Sequence, residues 1–139
     1  MSQNSRDTVP AYSYDILRHE LLPLLLGEEE EMILYWAGKS LARRLHLQSQ
    51  EELERFFNEA NWGRLTLVKE KRHGRLYEIE STGTDPSRPF TLEAGVIAQA
   101  VEKDKGLLAE ASCTVSKKAP LILHIAVEWD KKDPVHEAR

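Results

Sequence analysis

The sequence predicts an α+β domain in which helices pack on one face of a twisted four-stranded antiparallel sheet. Three observations support this fold class. Apolar residues recur at helical spacing as far as Ala60. The spacing changes to alternation after Gly63 and again after Gly106, and each alternating stretch contains a short turn. Strands that come in pairs form antiparallel hairpins, so helices are expected to cover one face while the other stays partly solvated.

The first helix is predicted from apolar residues that recur every three or four positions between Tyr14 and Leu25. Ser13 is the expected cap at its start. Pro23 is expected to end or kink the helix, and Gly27 marks the break that follows.

The second helix opens with the acidic run Glu28–Glu31, whose charges complement the positive end of a helix dipole, and is expected to continue to about Leu47. Gly38 in its apolar stripe would either let another backbone come close or leave room for a ligand. Ser49 followed by Glu52 is a capping-box pattern, which predicts a third helix. That helix is expected to end at Asn61-Trp62-Gly63.

The remaining elements are two hairpins and one helix. The first hairpin is predicted over Arg64–Ser81 and is followed by a loop up to Pro89. A fourth helix of about three turns contains the apolar residues between Phe90 and Val101. Like Gly38, Gly95 in this helix would either let another backbone come close or leave room for a ligand. Two long alternating strands then form a second hairpin over Leu107–Trp129.

The 139 residues fit one domain, predicted over residues 13–130 between a flexible arm (1–12) and a polar tail (131–139). The net charge of −4 argues against a nucleic-acid partner, because such partners select for a basic face. No apolar run approaches the roughly 20 residues that a membrane-spanning helix needs. A single cysteine excludes an intrachain disulfide, and we expect a cytoplasmic protein.

Three segments carry a family resemblance, namely Trp36–Ala42, Phe56–Gly63 and Phe90–Gly95. In this order, and followed by the closing strand pair, they resemble the YslB-like family, a domain of unknown function. The chain is more distantly similar to 4-vinyl-reductase domains and to small TRAPP transport subunits. The resemblance implies helices on one face of a twisted antiparallel sheet. It also implies two recurrent uses, which are holding a hydrophobic molecule or acyl chain between helices and sheet, and pairing through the first helices.

The chain departs from these relatives at its cysteine. The cysteine cluster of 4-vinyl-reductase domains is missing, so no metal role is carried over. Cys113 is not matched to the acylated cysteine of the TRAPP subunits, so acylation is not carried over either. In its own strand Cys113 lies in phase with Ala111 and Val115, which indicates a small core residue rather than a reactive thiol. His124 has the opposite parity, so a Cys-His pair is not expected.

No motif in the chain specifies a reaction, a metal or a cofactor. The histidines lack the spacing of a helical metal pair; they are His19, His46, His73, His124 and His136. One of them, His46, could be a haem ligand, but its position near a helix end has a simpler explanation in the helix dipole. We therefore expect no enzyme, no metal and no cofactor. Catalysis by Cys113 or an acidic residue is the alternative.

A basic patch on the first hairpin is interpreted as a solvated sheet edge rather than a nucleic-acid site. It consists of Lys69, Lys71, Arg72 and Arg75.

Two functions remain. The favoured prediction is a non-catalytic interaction module that forms a homodimer through its N-terminal helices. The residues predicted at that interface are Leu17, Leu21, Leu24 and Leu25. The alternative is a binding domain for a hydrophobic small molecule or acyl chain, with a pocket between helices and sheet. The residues predicted to line that pocket are Trp36, Leu41, Phe57, Val96 and Ala100.

Overall fold

The first part of the chain is helical, as predicted. The computed structural model describes residues 10–83 and 85–134, so most of the predicted arm (1–9) and residues 135–139 of the predicted tail lie outside the described residues. The helical elements before the first strand are α1 (Ala11–Asp15), a π-helical turn (Ile16–Leu21), α2 (Leu22–Leu26), a 3-10 turn (Gly27–Glu29), α3 (Glu30–Arg44) and α4 (Gln50–Glu59).

The N-terminal helical segment begins earlier than expected. Its first residue is Ala11, the capping position is Pro10, and no side chain caps the helix, so the prediction for Ser13 was wrong. The backbone stays helical through Pro23. The π-helical turn ends two residues before this proline, whose missing N–H removes one helical hydrogen bond. Gly27 then ends α2 with a φ of +59°, at the predicted break.

The capping box at the start of α4 is confirmed. The Ser49 hydroxyl accepts from the Glu52 N–H (3.1 Å), and the Glu52 carboxylate accepts from the Ser49 N–H (2.9 Å). Hydrogen bonds from the backbone N–H groups of Ser49 and Gln48 lower the pKa of Glu52 below its usual value. The chain leaves α4 through Asn61 and Gly63, both at positive φ, as their predicted turn requires.

Four strands form one antiparallel sheet in the order β1-β2-β4-β3. The strands are β1 (Arg64–Lys71), β2 (Gly74–Glu80), β3 (Leu107–Lys118) and β4 (Leu121–Pro134). Bulges interrupt the expected strict alternation between Leu107 and Ala109 and between Val115 and Lys117. Strand β4 continues to Pro134, past residue 130 where the domain was predicted to end.

Helix α5 (Thr91–Lys105) lies between the sheet and α3, which explains its composition. Every residue from Glu93 to Glu102 is buried. The sheet face below it presents buried apolar side chains such as Tyr77 and Ile125. A helix covered on two sides is apolar nearly all round, and the single stripe in the sequence understated this burial. The 15 residues of α5 also exceed the predicted length.

Gly38 of α3 and Gly95 of α5 lie where these two helices cross. A Cβ atom on Gly95 would lie 2.1 Å from the Tyr35 carbonyl oxygen, and one on Gly38 would lie 2.3 Å from the Leu92 carbonyl oxygen. Backbone therefore fills the space beside both glycines. Of the two interpretations of these glycines, close helix approach is the one observed. The predicted fold class, helices packed on one face of a four-stranded antiparallel sheet, is confirmed.

Candidate functional site

Arg18 anchors the N-terminal helical segment to the rest of the molecule. Its guanidinium donates to Glu93 Oε1 of α5 (2.7 Å), to the Tyr14 hydroxyl (2.7 Å) and to the Pro89 carbonyl (3.4 Å). Only 4% of Arg18 and 1% of Glu93 is exposed. Burial alone would lower the pKa of Arg18, but the Glu93 carboxylate and the Tyr14 hydroxyl together outweigh it, so this pKa is raised. The pair is therefore a buried, hydrogen-bonded ion pair.

The same segment carries exposed apolar residues. Six large apolar side chains form what we call the N-terminal apolar surface; they are Tyr12, Ile16, Leu17, Leu21, Leu24 and Leu25. Leu24 is 81% exposed and Leu25 68%. The segment thus buries an arginine and exposes four of its six leucines, which is the reverse of the pattern expected for a helix on the surface of a monomer.

The sequence indicated only part of this arrangement. It grouped Tyr14 with the leucines, whereas Tyr14 packs against the core and the leucines face outward. It gave no role to Arg18, because a charged residue on a surface helix is normally solvated. The one available signal was the four-residue spacing from Tyr14 to Arg18, which places both side chains on one side of the helix.

The five residues predicted to line a pocket divide between surface and core. Trp36 is 61% exposed on α3, and Leu41 is partly buried against the core. The other three, Phe57, Val96 and Ala100, are fully buried within the hydrophobic core.

A cleft of about 810 Å³ lies elsewhere, between the first turns of α3 and strand β3. Met32 and Tyr35 contribute its helical wall, and Ala111 and Cys113 its strand wall. The lining also includes four glutamates, Glu28, Glu31, Glu110 and Glu128. Sequence reasoning missed this cleft, because it depends on where α3 crosses the sheet edge.

Cys113 and His124 point to opposite faces of the sheet, as predicted. Cys113 pairs with Ile125 on the core face, whereas His124 pairs with Thr114 and lies 3.4 Å from Glu78 Oε1 on the outer face. Burial raises the pKa of the Cys113 thiol to about 12, and the nearby Glu93 carboxylate adds to this effect. The geometry therefore does not assemble a Cys-His pair.

None of the helices in the described part of the chain is both long enough and apolar enough to cross a membrane. The cytoplasmic location stays a prediction.

Two curated relatives match the sequence. The chain is 39% identical over 133 residues to the uncharacterized protein YslB of Bacillus subtilis, covering 90% of this chain and 88% of the relative. It is 33% identical over 93 residues to the uncharacterized protein MJ1642 of Methanocaldococcus jannaschii, covering 64% of this chain and 58% of that relative.

Among solved structures, the chain is similar to a vinyl-4-reductase family protein from Methanocaldococcus jannaschii. The TM-score is 0.63 at 16% identity, over 89% of this chain and 83% of the other. At this identity the likeness concerns the fold alone. The family model described as a protein of unknown function (DUF2507) matches residues 11–128. With its fold and its similarity to YslB, the chain therefore belongs to the DUF2507 family.

Proposed function

We propose that this protein is a non-catalytic interaction module that forms a homodimer through its N-terminal apolar surface. One observation carries the proposal: six of the eleven exposed large apolar side chains among the described residues lie within α1, the π-helical turn and α2. Exposed apolar side chains concentrated on one element are typical of a protein interface. The Arg18–Glu93 pair supports the proposal because it holds this element in place before any partner binds.

The energetics are compatible with a moderate affinity. Burying the exposed parts of four leucines from each of two copies would stabilise a dimer by on the order of 10 kcal/mol. The loss of translational and rotational freedom costs roughly 4–15 kcal/mol. The leucines alone therefore come close to balancing this cost. Contacts from Tyr12 and Ile16, at the start of the same surface, would tip the balance towards association.

The experiment that tests the proposal is the mass of the protein in solution. We expect light scattering at micromolar concentration to give twice the mass of one chain. Leu25→Glu should reduce it to the mass of one chain, because two carboxylates would have to lose their hydration at the interface. Leu25 is largely exposed, so the change should leave the free energy of unfolding of the monomer within about 0.5 kcal/mol of the original.

Val68→Glu is the matched control, since Val68 is another exposed apolar residue and lies on β1, outside the proposed interface. Its mass should remain that of the dimer. A wild-type protein that stays monomeric at these concentrations would refute the homodimer.

The proposal of no catalysis is supported by the separation of Cys113 from His124 and by the raised pKa of the thiol. Binding of a hydrophobic small molecule stays a prediction. It ranks second because the residues expected to line its pocket divide between surface and core. Native mass spectrometry of the dimer would also reveal any copurified molecule as extra mass.

A further inference from the structure

Strand β3 is an edge of the sheet, and helix side chains satisfy its outward backbone groups along only part of its length. The N–H of Ala109 donates to Glu102 Oε1 (3.2 Å), and the Ala109 carbonyl accepts from Lys39 Nζ (3.4 Å). The N–H of Ala111 donates to the Tyr35 hydroxyl (3.0 Å). Side chains of α3 and α5 therefore close this edge as far as Ala111.

The same row of outward groups continues at Cys113 and Val115, because alternate residues of an edge strand direct their N–H and carbonyl groups to the same side. Among the side chains of residues 10–83 and 85–130, none hydrogen-bonds to these groups. Burial also falls along the row, from buried Ala109 to Val115, which is 38% exposed. The stretch 112–116 has no charged residue, and the bulge after Val115 ends it.

The other edge of the sheet is protected differently. Strand β1 carries a bulge between Leu67 and Lys69, followed by the charged residues Lys69, Glu70 and Lys71. Bulges and charges are devices that prevent pairing with another strand. Their absence from residues 112–115 leaves part of β3 able to accept a further strand.

The charge of the neighbouring cleft defines what kind of strand would fit. Its described lining includes four glutamates and no lysine or arginine. Two of these, Glu110 and Glu128, lie directly opposite each other on β3 and β4. Like charges in this position destabilise a sheet, and neither glutamate forms an ion pair with a described residue. A cation brought in beside Glu110 would relieve this repulsion.

We propose that the free part of β3 binds an extended basic segment of a partner protein, which adds as a fifth strand to the sheet. Backbone hydrogen bonds to Cys113 and Val115 would hold the segment. Because side chains alternate along a strand, apolar residues of the segment would contact Met32 and Val115 while basic residues meet the glutamates. Alternation of apolar and basic residues is therefore the chemistry that this edge selects.

The test uses a synthetic peptide of eight residues in which valine and lysine alternate. Its binding to the full-length protein is measured by fluorescence anisotropy, and the site is mapped from amide chemical shifts. We expect a dissociation constant on the order of 100 μM. Chemical-shift changes should centre on residues 111–116. A peptide of alternating valine and glutamate is the charge control, and a lysine peptide with N-methylated alternate amides is the hydrogen-bond control. Neither control should bind.

The protein variant Glu110→Gln distinguishes an effect on peptide binding from an effect on folding. Removing one of two opposed carboxylates should raise the melting temperature of the free protein while weakening peptide binding by about tenfold. Glu59→Gln changes an exposed glutamate on α4 and should alter neither quantity. A misfolded variant could not show higher stability together with weaker binding.

Three outcomes would overturn the proposal. These are no binding at about 1 mM peptide, equal binding of the N-methylated peptide, and shift changes away from β3. Self-association that persists in Leu25→Glu and is lost when the free part of β3 is mutated would also overturn the proposal. That result would assign this edge to a second copy of the chain. The two proposed surfaces share no residue, so Leu25→Glu should change the mass and leave peptide binding intact.

Discussion

At the scale of single residues, Cys113 decides whether any nucleophilic chemistry is available. Its side chain lies on the core-facing row of β3, half-buried between Ala111 and Val115. Desolvation disfavours the thiolate, which is the reactive form of cysteine, and the carboxylate of Glu93 disfavours it further. A side chain in this position behaves as a small apolar residue.

The raised pKa of Cys113 predicts slow alkylation. With a pKa of about 12, the thiolate fraction near pH 7.5 is at least a hundredfold below that of a free cysteine, whose pKa is about 8.5. We expect iodoacetamide to modify the folded protein at least about a hundredfold more slowly than the unfolded protein, with the rate rising as pH rises. Mass spectrometry measures both rates on the same single thiol. Modification faster than in the unfolded chain would revive the catalytic alternative.

At the scale of elements, the crossing of α3 and α5 depends on two glycines. The atoms that an added Cβ would meet are backbone carbonyl oxygens, which cannot move without moving the helix. The helices could accommodate a methyl group only by separating, and α5 is held against the sheet on its other side. This close crossing therefore positions α3, whose Tyr35 and Lys39 close the edge of β3.

Gly38→Ala and Gly95→Ala are each expected to lower the free energy of unfolding by about 3 kcal/mol, at the upper end of the usual cost of overpacking. Gly106→Ala is the control for adding a methyl group at a glycine. Gly106 has a φ of +72° and open space around it, so only backbone strain of about 1 kcal/mol is expected there. Urea denaturation followed by circular dichroism measures all three. Equal losses at all three glycines would mean that the contact at the crossing does not matter.

The sequence predicted elements better than their edges and surroundings. Alternation identified the hairpins, and local chemistry identified the capping box of Ser49 and Glu52, because both signals depend only on neighbours in the chain. The sequence did not predict the bulge after Val115, because a bulge is set by the pairing with the partner strand. The burial of α5 on two sides was also missed, because α3 covers it from a distant part of the sequence.

At the scale of the whole molecule, the N-terminal segment is joined to the body through the contacts of Arg18 and the packing of Tyr14 rather than through a leucine core. The guanidinium of Arg18 lies 5.9 Å from the Trp62 ring and bonds to Glu93, so it connects the π-helical turn with α5 and with the turn that follows α4. The sequence predicted the leucines at the candidate interface but not what holds them outward. That depends on a charge pair separated by 75 positions, which periodicity does not detect.

This anchor makes the orientation of the proposed dimer surface depend on one ion pair. Arg18→Met leaves the buried Glu93 carboxylate without its counter-ion, and Glu93→Leu leaves the buried Arg18 guanidinium without its counter-ion. Each change is expected to lower the free energy of unfolding by about 3–5 kcal/mol. The double variant removes both charges and should recover much of that loss.

The variants of the double-mutant cycle are compared by urea denaturation in the monomeric Leu25→Glu background. Dimerisation then does not contribute to the measured free energy of unfolding. A coupling within about 0.5 kcal/mol of zero would mean that the two charges act independently and that packing alone holds the segment. With Leu25 restored, the double variant should fold yet dimerise more weakly, because its segment lacks the hydrogen bonds from Arg18 to Tyr14 and Pro89 that set its orientation. Folding and pairing would then be separable properties of the same sixteen residues, Ala11–Leu26.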